Sequence, residues 1–305
     1  MTETPTAQPA DPLSPELLDS LVSDGATLLE YLEACPVCSS IDLQHYFRRP
    51  SLFDEGKHIV YERCRGCGVV LRNPRMPPNL RLSIYEDKII PDEQKALLPR
   101  NQTHYAYILR LIEKLYPKDA SRRLLDFGCG AGGFLLEAQK ANWDVMGLEL
   151  NKDLARLVTE KYGIPVFQGL IDDPDFADER FDIVLSAQVF EHLLDPRQTL
   201  LDLKKHLRPP GFVLIEVPNQ LAIKETLRRG RTLDDSHLFY FSAAALSFMF
   251  RDTGFEVVHV QEGLRPYRLL PSAAHWPQGI TESMVKVLAA LRVRTGLSVL
   301  ARLEE

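Results

Sequence analysis

The chain has 305 residues, 45% of them hydrophobic and 26% charged, with a formal net charge of −6. At about 150 residues per domain this allows one large domain or two modest ones, with enough apolar material for a sizeable core. The acidic balance argues against a protein that coats nucleic acid or anionic membrane by bulk charge, and no apolar run reaches the ~20 residues of a membrane helix. The first sixteen residues, MTETPTAQPADPLSPE, have neither a basic n-region nor an apolar h-region, so the expectation is a cytoplasmic protein.

Residues 1–30 read as a flexible or partly helical tail. Over 31–75 come two C-x-x-C pairs, Cys35/Cys38 in CPVC and Cys64/Cys67 in CRGCG. Four thiolates suit tetrahedral zinc, and each C-x-x-C turn can aim two sulfurs at one ion. Between the pairs, Ile41 to Phe47 and His58 to Arg63 are β-prone, which predicts two or three short strands joining two knuckles, a zinc ribbon. A redox dithiol needs one pair at a helix N-terminus after a strand, and neither pair has that setting. All four positions are filled by protein, so the metal is expected to fold the module and to do no chemistry. Arg63, Arg65, Arg72, Arg75 and Arg81 make the region locally basic. They read either as a solvated face or as a contact for phosphate on a substrate or RNA. A helical connector is expected over 76–120.

From Arg123 the pattern becomes strand, glycine loop, helix: LLDF, then Gly128-Cys129-Gly130-Ala131-Gly132-Gly133, then FLLEAQK. Glycines let the backbone turn tightly against a ligand faced by helix N–H groups. A second buried strand, WDVMGLEL, ends in Glu149, at the spacing where an acid accepts both ribose hydroxyls of a nucleotide. The loop satisfies the dinucleotide fingerprint literally, so NAD has to be weighed. Asp126, two residues before the first glycine, is poorly placed beside a pyrophosphate and suits a ligand with an ammonium and a sulfonium charge. A fourth strand, FDIVLS, places Ala187 and Gln188 at its C-terminal end, where open α/β sheets bind ligands. His192, in EHLLDP, reads as a general base or as a residue that positions the loop. Ser242 is expected to cap a helix over 243–253, stopped by Gly254. Beyond Thr281 an apolar helical spacing predicts an amphipathic helix in a C-terminal extension, 263–305.

Taken together, LLDFGCGAGGFL, GLEL, FDIVLSAQVFEHLLDP and LRPPGFVLIEVPN resemble a class I S-adenosylmethionine-dependent methyltransferase over 121–262. With the ribbon in front, the chain is similar to bacterial sugar C-methyltransferases, without their C-terminal domain. The resemblance implies a Rossmann-like, doubly wound, mostly parallel α/β sheet with a small zinc ribbon and a helical tail. It implies that Asp126 approaches the methionine amino group, that Gly128, Cys129, Gly130 and Gly132 lie under S-adenosylmethionine, and that Leu150, Leu170 and Ile171 flank the adenine. A substrate-pocket insertion spans 220–240, and within it His237, before an aromatic and Phe-Ser, matches the family's base. The family's nearby tyrosine and glutamate are replaced by Asp234 and Ser236. The expected acceptor is a small molecule of sugar or natural-product type. Alternatives are an RNA-modifying enzyme that reads RNA with its ribbon, an NAD-dependent oxidoreductase, and a non-catalytic Rossmann-like module.

Overall fold

The computed structural model describes residues 29–50, 58–87, 102–116, 121–219, 236–263 and 296–304. Two C-x-x-C turns and three strands open it: β1 (Leu43–Pro50), β2 (His58–Cys64) and β3 (Val70–Arg72), paired antiparallel in that order. Strands β1 and β2 lie between the two cysteine pairs, where short strands were expected, and β3 follows the second pair. Two helices follow, α1 (Pro78–Asp87) and α2 (Gln102–Leu115).

The second unit alternates strand and helix. It runs β4 (Arg123–Phe127), α3 (Gly133–Lys140), β5 (Asp144–Glu149), α4 (Lys152–Tyr162), β6 (Val166–Gln168), β7 (Phe181–Ala187), α5 (Pro196–Lys205) and β8 (Leu207–Pro218). Three of the helices begin where the sequence supplies a side-chain cap. Asn151 accepts from the Asp153 and Leu154 amides, and Asp195 accepts from the Gln198 amide ahead of Pro196 at the first helical position. Ser242 accepts from Ala245 N to start α6 (Ala243–Asp252), and Gly254, at φ 82°, closes that helix as expected.

These strands form a seven-stranded sheet of order β10-β11-β8-β7-β4-β5-β6, completed by β10 (Phe255–Gly263) and β11 (Gly296–Leu303). From β8 to β6 the strands are parallel, while β11 is antiparallel to both neighbours. Strand β7 is buried on both faces except at its last residue, which is why its middle, Ile183 to Leu185, is a continuous apolar run and not an alternation. The C-terminal extension departs from the expected helical tail. Residues 296–303 are a strand wedged between β8 and β10, so the chain's end belongs to the central sheet. The stretch 281–293, expected to be helical, lies outside the described residues, as do 1–28 and most of the 220–240 insertion.

The ribbon is not a separate bead. Its sheet has a fourth strand, β9 (Phe239–Tyr240), drawn from just after His237, with Val70 opposite Tyr240 and Leu71 opposite Phe239. Arg72 N also donates to Leu238 O at 2.8 Å. Cys35, Cys64, Cys67, Val69 and Leu71 belong to the same apolar cluster as Phe190, Phe239, Phe241 and the β8 residues Val213, Ile215 and Val217. Among the described residues, no helix is long and apolar enough to cross a membrane.

Candidate functional site

Strand β4 delivers Asp126 to the edge of the glycine loop, and β5 delivers Glu149 beside it. The loop turns on left-handed backbone: Gly128, Gly130 and Gly132 have φ of 75°, 53° and 77°. A Cβ on Gly128 would stand 2.5 Å from Val189 Cγ2, so only glycine lets the loop and the segment after β7 meet. Glu149 ties the pieces together, accepting from Gly130 N at 2.8 Å and Asn151 N at 2.9 Å. Burial, and then the charge of Glu149, push Asp126 up to about 8, and burial also raises Glu149. Two carboxylates desolvated at the C-terminal ends of adjacent parallel strands are costly unless a cationic or hydroxyl-bearing ligand meets them. These groups could hold an amino-acid-bearing nucleoside, the two acids accepting from an ammonium and from ribose hydroxyls above the glycine backbone. Cys129 sits in this loop with its sulfur 3.8 Å from Gly130 O. Burial holds its thiol well above the ordinary range, and it packs in place as a small loop residue.

The residues expected beside the adenine separate. Leu170 is exposed, whereas the Ile171 side chain lies in the core and its carbonyl bonds to His206 Nε2 at 3.1 Å, so any ligand contact from Ile171 comes from its main chain. Leu150 follows Glu149 at the end of β5 and is partly buried. At the end of β7, Gln188 adopts a positive φ of 64°, unusual for a residue with a side chain, and both its amide nitrogens bond to Glu216 O.

Beyond the turn Phe190–His192 the structure assembles a group that the sequence only hinted at. His192 and His237, 45 positions apart in the chain, have ring centroids 4.7 Å apart, and Glu191 joins them. Helix α1 closes this side: Arg81 donates to the carbonyls of His192 and Ser236, and Tyr85 OH lies 3.1 Å from His192 Nδ1. The same helix accepts from Asn151 Nδ2 through Tyr85 O, so it bridges the Glu149 side and the histidine side. The arginine cluster therefore divides. Arg75 and Arg81 are buried staples, Arg75 bonding to Glu30 and to Leu194 O, while Arg63 and Arg65 are exposed.

Sequence reasoning missed a second pair. His104 on α2 meets Glu216 on β8 at 2.8 Å, with Ser298 Oγ donating to the other oxygen, at the strand end beside Ala187. The one signal was a carboxylate inside the apolar run GFVLIEVPN. Asn219 Nδ2, at the end of the same strand, is buried with no partner among the described residues.

In the ribbon, Cys35 and Cys67 sulfurs are 3.8 Å apart and Cys38 and Cys64 sulfurs 3.4 Å. A tetrahedron with Zn–S bonds of ~2.3 Å has edges of about 3.8 Å, so the four thiols could coordinate one metal ion with little rearrangement. All four expected ligands are brought together.

Residues 100–260 match the family model described as a methyltransferase domain, and the chain belongs to that family. It is 31% identical over 147 residues to a protein of Mycolicibacterium smegmatis named "probable S-adenosylmethionine-dependent methyltransferase", covering 48% of this chain and 56% of that one. It is 33% identical over 139 residues to the ubiquinone biosynthesis O-methyltransferase of Cereibacter sphaeroides, covering 41% and 56%. The matches thus span about half the length of these relatives. Among solved structures, a chain of the Haloferax volcanii complex of the Trm112 methyltransferase activator with a methyltransferase shares the fold. That likeness has TM-score 0.52 and 19% identity, covering 70% of this chain and 96% of that one.

Proposed function

We propose that the protein transfers a methyl group from S-adenosylmethionine to a small-molecule acceptor of sugar or natural-product type, at carbon or oxygen. The observation that carries this is the buried pair Asp126 and Glu149 at the lip of a left-handed glycine loop, a donor set for ammonium and ribose that a pyrophosphate would not satisfy. Asp126 meets the methionine ammonium, Glu149 the ribose hydroxyls, Leu150 and Leu170 flank the adenine, and Ala187 and Gln188 line the methionine side. When bound, S-adenosylmethionine supplies a methyl carbon activated by its sulfonium. The protein's part is to hold the acceptor in line with it and keep water out. His192 and His237 stand where the acceptor arrives, and an imidazole there can take the proton of a hydroxyl or an activated carbon. The four cysteines hold a structural zinc.

The burial of Arg75 and Arg81 favours a metabolite over RNA, because it removes two charges from the basic cluster an RNA reader would use. The deciding experiment is thermal. S-adenosylhomocysteine is expected to raise the melting temperature, and NAD is expected not to. Stabilisation by NAD alone overturns the reading. RNA affinity with a steep salt slope would restore the nucleic-acid alternative.

A further inference from the structure

Among the described residues, two groups of side chains could hold a metal ion: the four cysteines, and Glu191 with His192 and His237. The second has different chemistry. One carboxylate and two imidazoles favour a borderline divalent ion such as Mn²⁺, Fe²⁺, Co²⁺ or Zn²⁺ over the soft-thiolate preferences of the ribbon. One ligand atom from each residue lies within 4.8 Å of the others, and Glu191 and His237 are 1% and 4% exposed. Bonds of about 2.0–2.2 Å would draw these atoms in by about an ångström, within reach of side-chain rotation.

The surroundings are built to hold that set. Glu191 and His192 are neighbours on one turn, and Leu238 N donates to Glu191 O at 2.8 Å, pinning the segment that carries His237 against it. His192 Nδ1 is 3.1 Å from Ser236 O. With the hydrogen on Nδ1, shared between that carbonyl and Tyr85 Oη at 3.1 Å, Nε2 keeps the lone pair, the outer-shell arrangement that orients a metal-binding imidazole. Arg81 fastens the carbonyls of both histidine-bearing segments. Val189, two residues before Glu191, packs on Gly128 of the glycine loop, so the group borders the cofactor site.

We propose that Glu191, His192 and His237 bind one divalent transition-metal ion, separate from the cysteine-held zinc, with open positions for an oxygen of the methyl acceptor. The role toward the acceptor rests on the methyltransferase reading; ion binding does not. Ligation occupies the lone pairs that a base needs, so with the ion bound neither imidazole is the proton acceptor.

The test uses the full chain with its zinc in place and Mn²⁺ as probe, since thiolates compete poorly for manganese. Free Mn²⁺ is followed by electron paramagnetic resonance during titration. One saturable Mn²⁺ per chain is expected, with affinity lowered at least tenfold in Glu191→Gln and His237→Gln and unchanged in His259→Gln, a histidine on strand β10. Stabilisation by S-adenosylhomocysteine is measured on every variant. Where it persists, the fold is intact and lost Mn²⁺ binding reports the ligands. No saturable Mn²⁺ in the wild type, or equal binding in wild type and Glu191→Gln, overturns the metal site and leaves the methyltransferase reading standing. Loss of the homocysteine effect in the wild type with Mn²⁺ binding intact does the reverse.

Discussion

On the proposed reading, in which Asp126 meets the ligand ammonium, cofactor binding is a titration. Its carboxyl is pushed up to about 8, first by burial and second by Glu149, so at pH 7 the ligand-free protein holds it largely protonated. A ligand ammonium favours the ionised form, so binding between pH 6 and 8 releases a proton. Affinity for S-adenosylhomocysteine should therefore rise by up to ~tenfold per pH unit toward pH 8 and flatten above it. Stability of the free protein runs the other way. A carboxyl raised above its unfolded value stabilises most below about pH 4, and that contribution is lost as pH climbs through about 8. Calorimetry in buffers of differing ionisation enthalpy reads the proton directly. Asp126→Asn should bind at least ~tenfold more weakly and with no pH slope, and a slope that survives in this variant assigns the proton elsewhere. Gly128→Ala is expected to abolish ligand-induced stabilisation. It combines a left-handed φ of 75° with a Cβ driven into Val189, and the same melting experiment checks it. Both residues were legible in the sequence, because spacing along one strand-loop-helix determines them. His104 and Glu216 were not, since their meeting depends on how α2 lies across the sheet.

Helix α1 shows what local sequence leaves out. A helical connector was legible, but not its destination, and Arg81 read as one charge in a basic run. In the fold its guanidinium bonds to the carbonyls of His192 and Ser236, and Tyr85 reaches His192 while its own carbonyl takes the Asn151 amide. An arginine's position in the chain reveals its charge, not which distant backbone atoms it will satisfy. Arg81→Met keeps the side chain's bulk and removes its donors, leaving buried carbonyls at a cost of ~1–3 kcal/mol. The expected result is faster hydrogen exchange at Leu238, whose amide bonds to Glu191 O, with exchange in the 128–132 loop unchanged. Equal acceleration in both places would show that α1 supports the whole site and not the histidine side alone.

At the scale of the molecule, the cysteine module and the rest of the fold are one object. The four-cysteine module was legible because its cysteines come as local pairs. Its join to the rest was not, because strand β9 is only two residues long and carries no periodicity of its own. Strand β11 was missed for a related reason. An apolar helical spacing over 281–293 led to the expectation of a helical extension, and only the sheet shows that 296–303 pairs on both sides. Cys67→Ser should therefore lower the melting temperature of the entire chain in a single transition, followed by circular dichroism at a helical wavelength. Two transitions, with the helices melting at the wild-type temperature, would show the ribbon to be an independent unit.

The pairing of Leu71 with Phe239 also sets an order of events at the ribosome. The cysteine pairs emerge early and can collect their ion, yet strand β3 must wait for its neighbour until the β4-to-β8 run has been made. Until then an apolar strand edge stands open, the kind of surface that recruits other nascent chains. A chain halted at residue 235 should consequently bind zinc and still aggregate, whereas one carried through α6 should remain dispersed. His237, near the end of the 220–240 stretch, thus lies next to the segment that brings the wait to an end.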